Sequence, residues 1–363
     1  MERMNTILIG HNLQSNAIGR LLCMADIAAQ VGEVRVGAFG NLPLWRGAAQ
    51  FQHPVLPLST EWRSQLDTWI GETLDDSHVV LWISKGLRPL DEVAHYVSKH
   101  YPHVSVILDI DDDDIGLAHS FANATLINRI KLNPLRRGSS RSIERSISSI
   151  SQVADAYTFS TNSLRCELYP HLSPFKVIPH ARPPRVTISD EKEPIVRSFG
   201  FFGTIRPHKG GDMLLSFMRA NKNWTMVTFQ GCGLGQPRDT DSNWREIPPN
   251  TPLMEAYGCV EVSLLPMDLS DRASRVQLPA KLIDAMRAGK PILASPTPAI
   301  SEIGQDAVIF LSETGNDVEL VDAMETARKS SVNARALELF DQSLSTPRVA
   351  EKFSALVRSV IGS

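Results

Sequence analysis

The sequence predicts an α/β protein built from two parallel-sheet domains. Three observations carry that prediction. Through the first half, unbroken runs of Val, Ile and Leu alternate with helical stretches, the pattern of strands buried on both faces. Near the middle, residues 179–194 are rich in proline and charge and have no hydrophobic period, as a linker does. Beyond it, at 196–202, the alternation of strand and helix starts again. With 363 residues, each half is long enough to bury its own core. The expected division is 1–180 for the first domain, 181–194 for the linker, 195–345 for the second domain and 346–363 for a final helix.

The elements follow in order. A strand is expected at 6–10 (TILIG) and a helix at 17–31. Short apolar runs place further strands at 34–37, 79–83, 104–109, 156–159 and 176–178, with helices at 61–72, 90–100 and 162–169 between them. In the second domain 196–202 is a strand. The stretch 277–295, QLPAKLIDAMRAGKPILAS, holds an amphipathic helix and then a strand at 292–294. Pro279 fits a first helical turn and Gly289 the position just past a helix end. In 347–361, Val349, Phe353, Leu356, Val357 and Val360 recur at helical spacing.

Composition excludes several classes. Hydrophobic residues at 42% and charged residues at 21% belong to an ordinary globular protein. A formal net charge of -3 offers no basic field for nucleic acid, so no nucleic-acid partner is expected. Cys23, Cys166, Cys232 and Cys259 form no C-x-x-C pair, which fits a reduced, cytoplasmic protein without a zinc site. The chain enters its first strand without a basic start, apolar core and cleavage site in series. No run reaches the ~20 apolar residues of a membrane span.

Two segments carry the chemistry. In 277–295 the first helical turns bring Lys281 and Asp284 to one spot. Helix-start N–H groups and a cation suit a diphosphate, and the carboxylate suits ribose hydroxyls. An ordinary αβ unit with solvated charges has the same pattern. The second segment, 199–211, reads FGFFGTIRPHKGG: a strand runs into Gly203, a basic turn carries Arg206, His208 and Lys209, and a helix begins near Gly210. Glycine admits a ligand close to the backbone, and the cations can clamp phosphate oxygens.

On these residues the chain resembles the retaining GT-B glycosyltransferases called glycosyl transferases group 1, of the family 4-like kind. Gly203, Lys209 and Gly210 match that family's G-x5-K-G turn. Asp284, Ala285, Met286, Ala288, Gly289, Pro291 and Ile292 follow its E-A-M-A-x-G-x-P-V helix and strand. Gln230 to Gly233 resembles its glycine turn after the next strand, and 252–266 the helix and strand before the signature helix. The likeness covers about 155–312; the N-terminal part agrees by layout only. It implies two Rossmann-like domains facing across a cleft, the second holding a nucleotide diphosphate sugar, the first supplying the acceptor, and the final helix crossing back to the first. It also implies transfer of the sugar to a saccharide or lipid-linked hydroxyl with retention, without a metal or other cofactor, commonly in cell-surface polysaccharide or glycolipid synthesis.

The resemblance assigns donor binding to Gly203, Thr204, Lys209, Lys281, Leu282 and Asp284. Lys209 would neutralise the diphosphate and the charge growing on the leaving group. A cation at a helix N-terminus opposes the dipole, so Lys209 and Lys281 each ask for an anion. Two departures stand out. The family's arginine after the turn glycine is Thr204 here, with Arg206 as its replacement two residues on. Of the family's glutamate pair, the second maps onto Asp284 and the first onto Val276, so the resemblance keeps ribose binding with a shorter side chain but lacks the glutamate of the sugar contact. Lys281 belongs to a P-x-K-x-x-E subgroup that lacks the first glutamate. A binding partner subunit that keeps the nucleotide site but has lost chemistry is the competing reading, and a nucleotide-sugar epimerase a weaker third.

Three further segments are ambiguous. The polar loop His11 to Asn16 replaces a glycine-rich one; Ser15 or Asn16 would equally cap a plain βα turn. The acidic run Asp109 to Asp114 ends a strand. Asp111 there aligns near the family's active-site histidine and could take a proton from an acceptor hydroxyl, or the run is a solvated helix cap. Residues 128–145, NRIKLNPLRRGSSRSIER, mix cations with apolar residues, which suits either an anionic membrane surface touched from the cytoplasm or a solvated surface segment.

Overall fold

The computed structural model describes residues 4–45, 47–48, 51–72, 78–124, 138–185, 193–205, 209–235, 237–238, 240–312, 317–329 and 332–361. The chain divides into two compact units, Met1–Pro183 with Thr346–Ser363, and Pro184–Ser345.

The first unit holds seven strands: β1 Met4–Gly10, β2 Gly32–Phe39, β3 Val55–Leu58, β4 His78–Ser84, β5 Ser105–Ile110, β6 Ala156–Phe159 and β7 Phe175–Val177. They are all parallel, in the order β3-β2-β1-β4-β5-β6-β7. The second holds β8 Ser198–Phe201, β9 Thr225–Phe229, β10 Trp244–Ile247, β11 Val262–Leu265, β12 Ile292–Ala294 and β13 Ile309–Phe310, parallel in the order β10-β9-β8-β11-β12-β13. Each order runs outward from a central strand and then reverses, the doubly wound pattern. Every residue of β1, β6, β8, β11 and β12 is buried, the expected state of strands covered by helices on both faces.

Some elements went unforeseen. The strand β3 is an edge strand of sequence VLPL; its proline and half-exposed residues hide it from an apolar-run reading. Two further unforeseen edges are β10, which carries exposed Arg245, and β13, whose two residues are both exposed. The helix-cap reading of the acidic run holds at Asp113, which accepts from Gly116 N–H at 2.8 Å and starts a helix, Asp114–Ala124. Residues 138–145 enter another helix, Ser140–Ile150, in which the Ser139 hydroxyl accepts from Ser142 N–H at 3.3 Å. That helix buries Ile143, Ile147 and Ile150 and exposes Arg141 and Arg145. The rest of the expected membrane-contact segment, 128–137, lies outside the described residues. Among the described residues no helix is long and apolar enough to cross a membrane.

The helix Thr346–Ile361 belongs to the first unit. It buries Val349, Ala350, Phe353, Leu356 and Val357, and the Phe353 ring stacks on Trp82 of β4 at 4.1 Å between centroids. Where the chain re-enters this unit, Thr346 N–H donates to Arg182 O at 2.8 Å.

Candidate functional site

In doubly wound sheets ligands sit beyond the carboxyl ends of the strands, where the strand order reverses. In the second unit that place lies between β8 and β11. Gly203 stands two residues past β8, and Lys281 is the second residue of the helix Ala280–Arg287. The Lys281 Nζ lies 4.7 Å from the centroid of Phe201, the last residue of β8. Its stem crosses Gly203: a Cβ built there would stand 2.5 Å from Lys281 Cε and 3.0 Å from Nζ. Gly203 also has φ +147, so it is required both by backbone and by space. The Tyr257 hydroxyl donates to Lys281 O at 3.1 Å and ties down this first turn.

The neighbouring turns close around the same edge. Ile205 N–H donates to Cys232 O at 2.6 Å, and a Cβ on Gly233 would meet Ile205 O at 2.5 Å. The glycine turn after β9 is thus packed against the turn after β8. Gly210, at φ +64, precedes the helix Gly211–Ala220, and a Cβ there would stand 2.7 Å from Pro266 Cβ, just past β11. Lys209 is half-buried immediately before it. Asp284 is buried at 5% exposure, Leu282 is buried in the core, and Thr204 is exposed. Arg206 and His208 lie outside the described residues. Val276, where the resemblance puts a glutamate, is fully buried at the end of the helix Arg272–Val276 and presents no polar atom. The structure therefore brings together Gly203, Lys281 and the start of the Lys209 helix at one sheet edge. A helix start, ammonium groups and tight glycine turns make an edge able to receive phosphate oxygens.

The first unit has its own reversal, between β1 and β4. Lys85 follows β4 directly, with its backbone at φ +70 and its side chain almost fully buried. Its Nζ lies 2.7 Å from Asp111 Oδ1 and 3.1 Å from both Asp112 Oδ2 and Asp114 Oδ1. Burial works against the Lys85 charge, but the pull of these carboxylates outweighs it and holds the ammonium protonated. Burial, with Asp112 beside it, pushes the Asp111 carboxyl up to about 7 despite Lys85. Asp111 is therefore a buried ion-pair partner, not the solvated cap of a loop.

Beneath this cluster Arg20 grips Asp109, with Nε to Oδ2 at 2.9 Å and Nη2 to Oδ1 at 2.7 Å, and Nη2 also donates to Ile178 O at 2.8 Å. Thr158 Oγ1 donates to Asp109 at 2.7 Å and accepts from Trp82 Nε1 at 3.0 Å. His11 follows β1; burial, then Lys85, push its imidazole down to about 4. Burial, then Arg20 and Arg182, hold the His180 imidazole well below its usual value. Sequence reasoning missed Lys85 and Arg20. The one available signal was a Lys-Gly pair ending a strand that would lie beside the acidic one. Among the described residues no three His, Cys, Asp or Glu side chains are grouped to hold a metal ion.

No protein-family model and no curated protein matches the sequence. Solved structures do match in fold. HepE from Anabaena, in complex with UDP-glucose, aligns with a TM-score of 0.68 over 98% of this chain and 100% of that one, at 12% identity. Sucrose-phosphate synthase from Thermosynechococcus elongatus aligns with a TM-score of 0.64 over 99% and 100%, also at 12% identity. The pneumococcal O-GlcNAc transferase GtfA, in complex with UDP and GlcNAc, aligns at 0.55 over 82% of this chain and 60% of that one, at 13% identity. At these identities the likeness concerns architecture: the chain has the two-domain GT-B fold of these glycosyltransferases.

Proposed function

We propose that the protein is a glycosyltransferase that moves a sugar from a nucleotide diphosphate sugar to an acceptor hydroxyl with retention of anomeric configuration. The observation that carries this reading is the meeting of Lys281 with Gly203 at the reversal point of the second sheet. Lys209 at the adjoining helix start adds a second cation for the diphosphate, and Asp284 is the acceptor for ribose hydroxyls. Fold likeness to structures holding UDP and UDP-glucose supports the same donor class. Catalysis would rest on positioning and on charge stabilisation of the departing diphosphate by Lys209, Lys281 and Arg206. Synthesis of cell-surface polysaccharide or glycolipid, at the cytoplasmic side, is the setting we propose.

The test is a thermal-shift screen against UDP, GDP, dTDP, ADP and CMP, with and without magnesium, in wild type and Lys209→Ala. A ligand that binds only the native state raises the melting temperature. A shift with one nucleotide, lost in the variant, would support the site and name the base. No shift with any nucleotide would overturn the donor assignment. Binding without turnover of the matching sugar donors would leave a binding subunit.

A further inference from the structure

The amino ends of the second sheet, opposite the edge that carries Gly203 and Lys281, border a cavity that the donor site does not use. Its volume is about 370 Å³, the size of a small-ligand pocket. Arg197 stands just before β8, residues 221–224 lead into β9, and Glu325 comes from the helix Asp317–Arg328.

Arg197 has its backbone at φ +53, a left-handed conformation that a residue with a Cβ avoids. It is held there from both sides: its N–H donates to Glu261 Oε2 at 2.7 Å, and its carbonyl accepts from Thr225 N–H at 2.8 Å. Backbone strain of this kind gathers where a side chain has to be presented to a ligand. The Arg197 side chain lines the cavity at 46% exposure, with Nε 2.9 Å from Glu325 Oε1. Glu325 does not depend on that pair, because Arg328 Nη1 holds its Oε2 at 3.1 Å. The Arg197 guanidinium can therefore turn to another oxyanion without leaving Glu325 uncompensated.

Lys222 is the second cation on the wall. Its Nζ lies 3.0 Å from Thr240 O and 3.5 Å from Asn243 Oδ1, both uncharged. Asp241, between those two in sequence, is gripped by Arg219 at 3.1 and 3.0 Å. Among the described residues Lys222 makes no ion pair. A cationic ligand would meet both Arg197 and Lys222, and a neutral one would leave both charges unanswered. An oxyanion answers both, taking the guanidinium as a fork and the ammonium as a point charge.

We infer that this cavity is a binding site for a small metabolite bearing a phosphate or carboxylate group, held by Arg197 and Lys222. It lies at the far end of β8 from the donor corner and stands whether or not that corner takes a nucleotide.

The test is isothermal titration of the full chain with inorganic phosphate, glucose 6-phosphate and citrate, and with glucose as the uncharged counterpart. The same titrations in Lys281→Met separate this cavity from the donor corner. At least one of the three anions binds, equally well in Lys281→Met, and which of them binds tells phosphate from carboxylate. Arg197→Gly, whose backbone accepts φ +53 freely, and Lys222→Gln each weaken that binding by about 3- to 10-fold. Glu325→Gln, which removes the competing carboxylate, strengthens it, and the melting temperature shows that each variant is folded. The inference is overturned if no anion binds, if binding vanishes in Lys281→Met, if Arg197→Gly and Lys222→Gln leave it unchanged, or if glucose binds with the same loss in those two variants.

Discussion

Replacing Gly203 with alanine attacks the donor site at its tightest point. The new Cβ would stand 2.5 Å from Lys281 Cε and 3.0 Å from Nζ, on a backbone held at φ +147. The backbone strain costs about 1–3 kcal/mol. At about 2–4 °C per kcal/mol for a unit of this size, that lowers the melting temperature by roughly 2–12 °C. The steric conflict is relieved by moving the Lys281 stem, which is flexible, so its main consequence is a displaced ammonium. Losing one charge-assisted contact to a diphosphate costs about 1.5–3 kcal/mol, or roughly 10- to 100-fold in Kd. Isothermal titration with the best nucleoside diphosphate should show that loss in Gly203→Ala. Lys281→Met should lose binding similarly while its stability changes by only about 1 kcal/mol, the scale of the cation–π contact with Phe201. In the double variant the alanine should still lower stability but weaken binding no further, because the displaced group is gone. Wild-type affinity in a folded Gly203→Ala, or in Lys281→Met, would refute the assignment of this corner to phosphate.

Three other outcomes follow from the first unit. His11 is held at about 4 in the folded state against 6.5 unfolded, so it contributes stability above pH 6.5 that is lost as pH falls through 4. Urea unfolding should show about 2 kcal/mol of that loss between pH 7.5 and pH 5, and His11→Gln should remove it; an unchanged pH slope would contradict the burial of a neutral imidazole. Phe353→Ala should cost about 3–5 kcal/mol and alter Trp82 fluorescence, since the ring is fully buried against that indole. Arg20→Met should cost about 3–5 kcal/mol by leaving Asp109 buried without its partner, and Asp109→Asn in the same chain should recover part of it, read by chemical denaturation.

The parallel sheets were legible because their central strands are continuous apolar runs, and the ends of such runs locate the chemistry. Gly203, Gly210 and Gly289 marked turns that the structure places at positive φ. The corner formed by Gly203 and Lys281 was legible as two separate phosphate-suited turns, although the lysine stem lying across the glycine was not. Edge strands β3, β10 and β13 were missed because a strand paired on one side tolerates proline, arginine and exposure. The acidic run stayed ambiguous for a different reason. Its neutralising cation, Lys85, is 26 residues from Asp111 in sequence and comes beside it only through the β4–β5 pairing. A carboxylate cluster looks solvated until the sheet supplies its counter-ion. The helix Ser140–Ile150 was masked by its serines and arginines, although Ile143, Ile147 and Ile150 are spaced for one face.

The first unit is assembled from two stretches of chain with the whole second unit encoded between them. On the ribosome, therefore, residues 184–345 emerge before the helix that covers Trp82, Leu8 and Val80 has been made. A nascent first unit must wait with that apolar face open for the time needed to translate about 160 residues, some 10–30 s at usual elongation rates. The second unit owes nothing to that delay and can complete its core on emergence. Synthesis thus imposes an order opposite to the order of the genetic text: the unit begun first is finished last, and its unfinished surface is where a chaperone would find it.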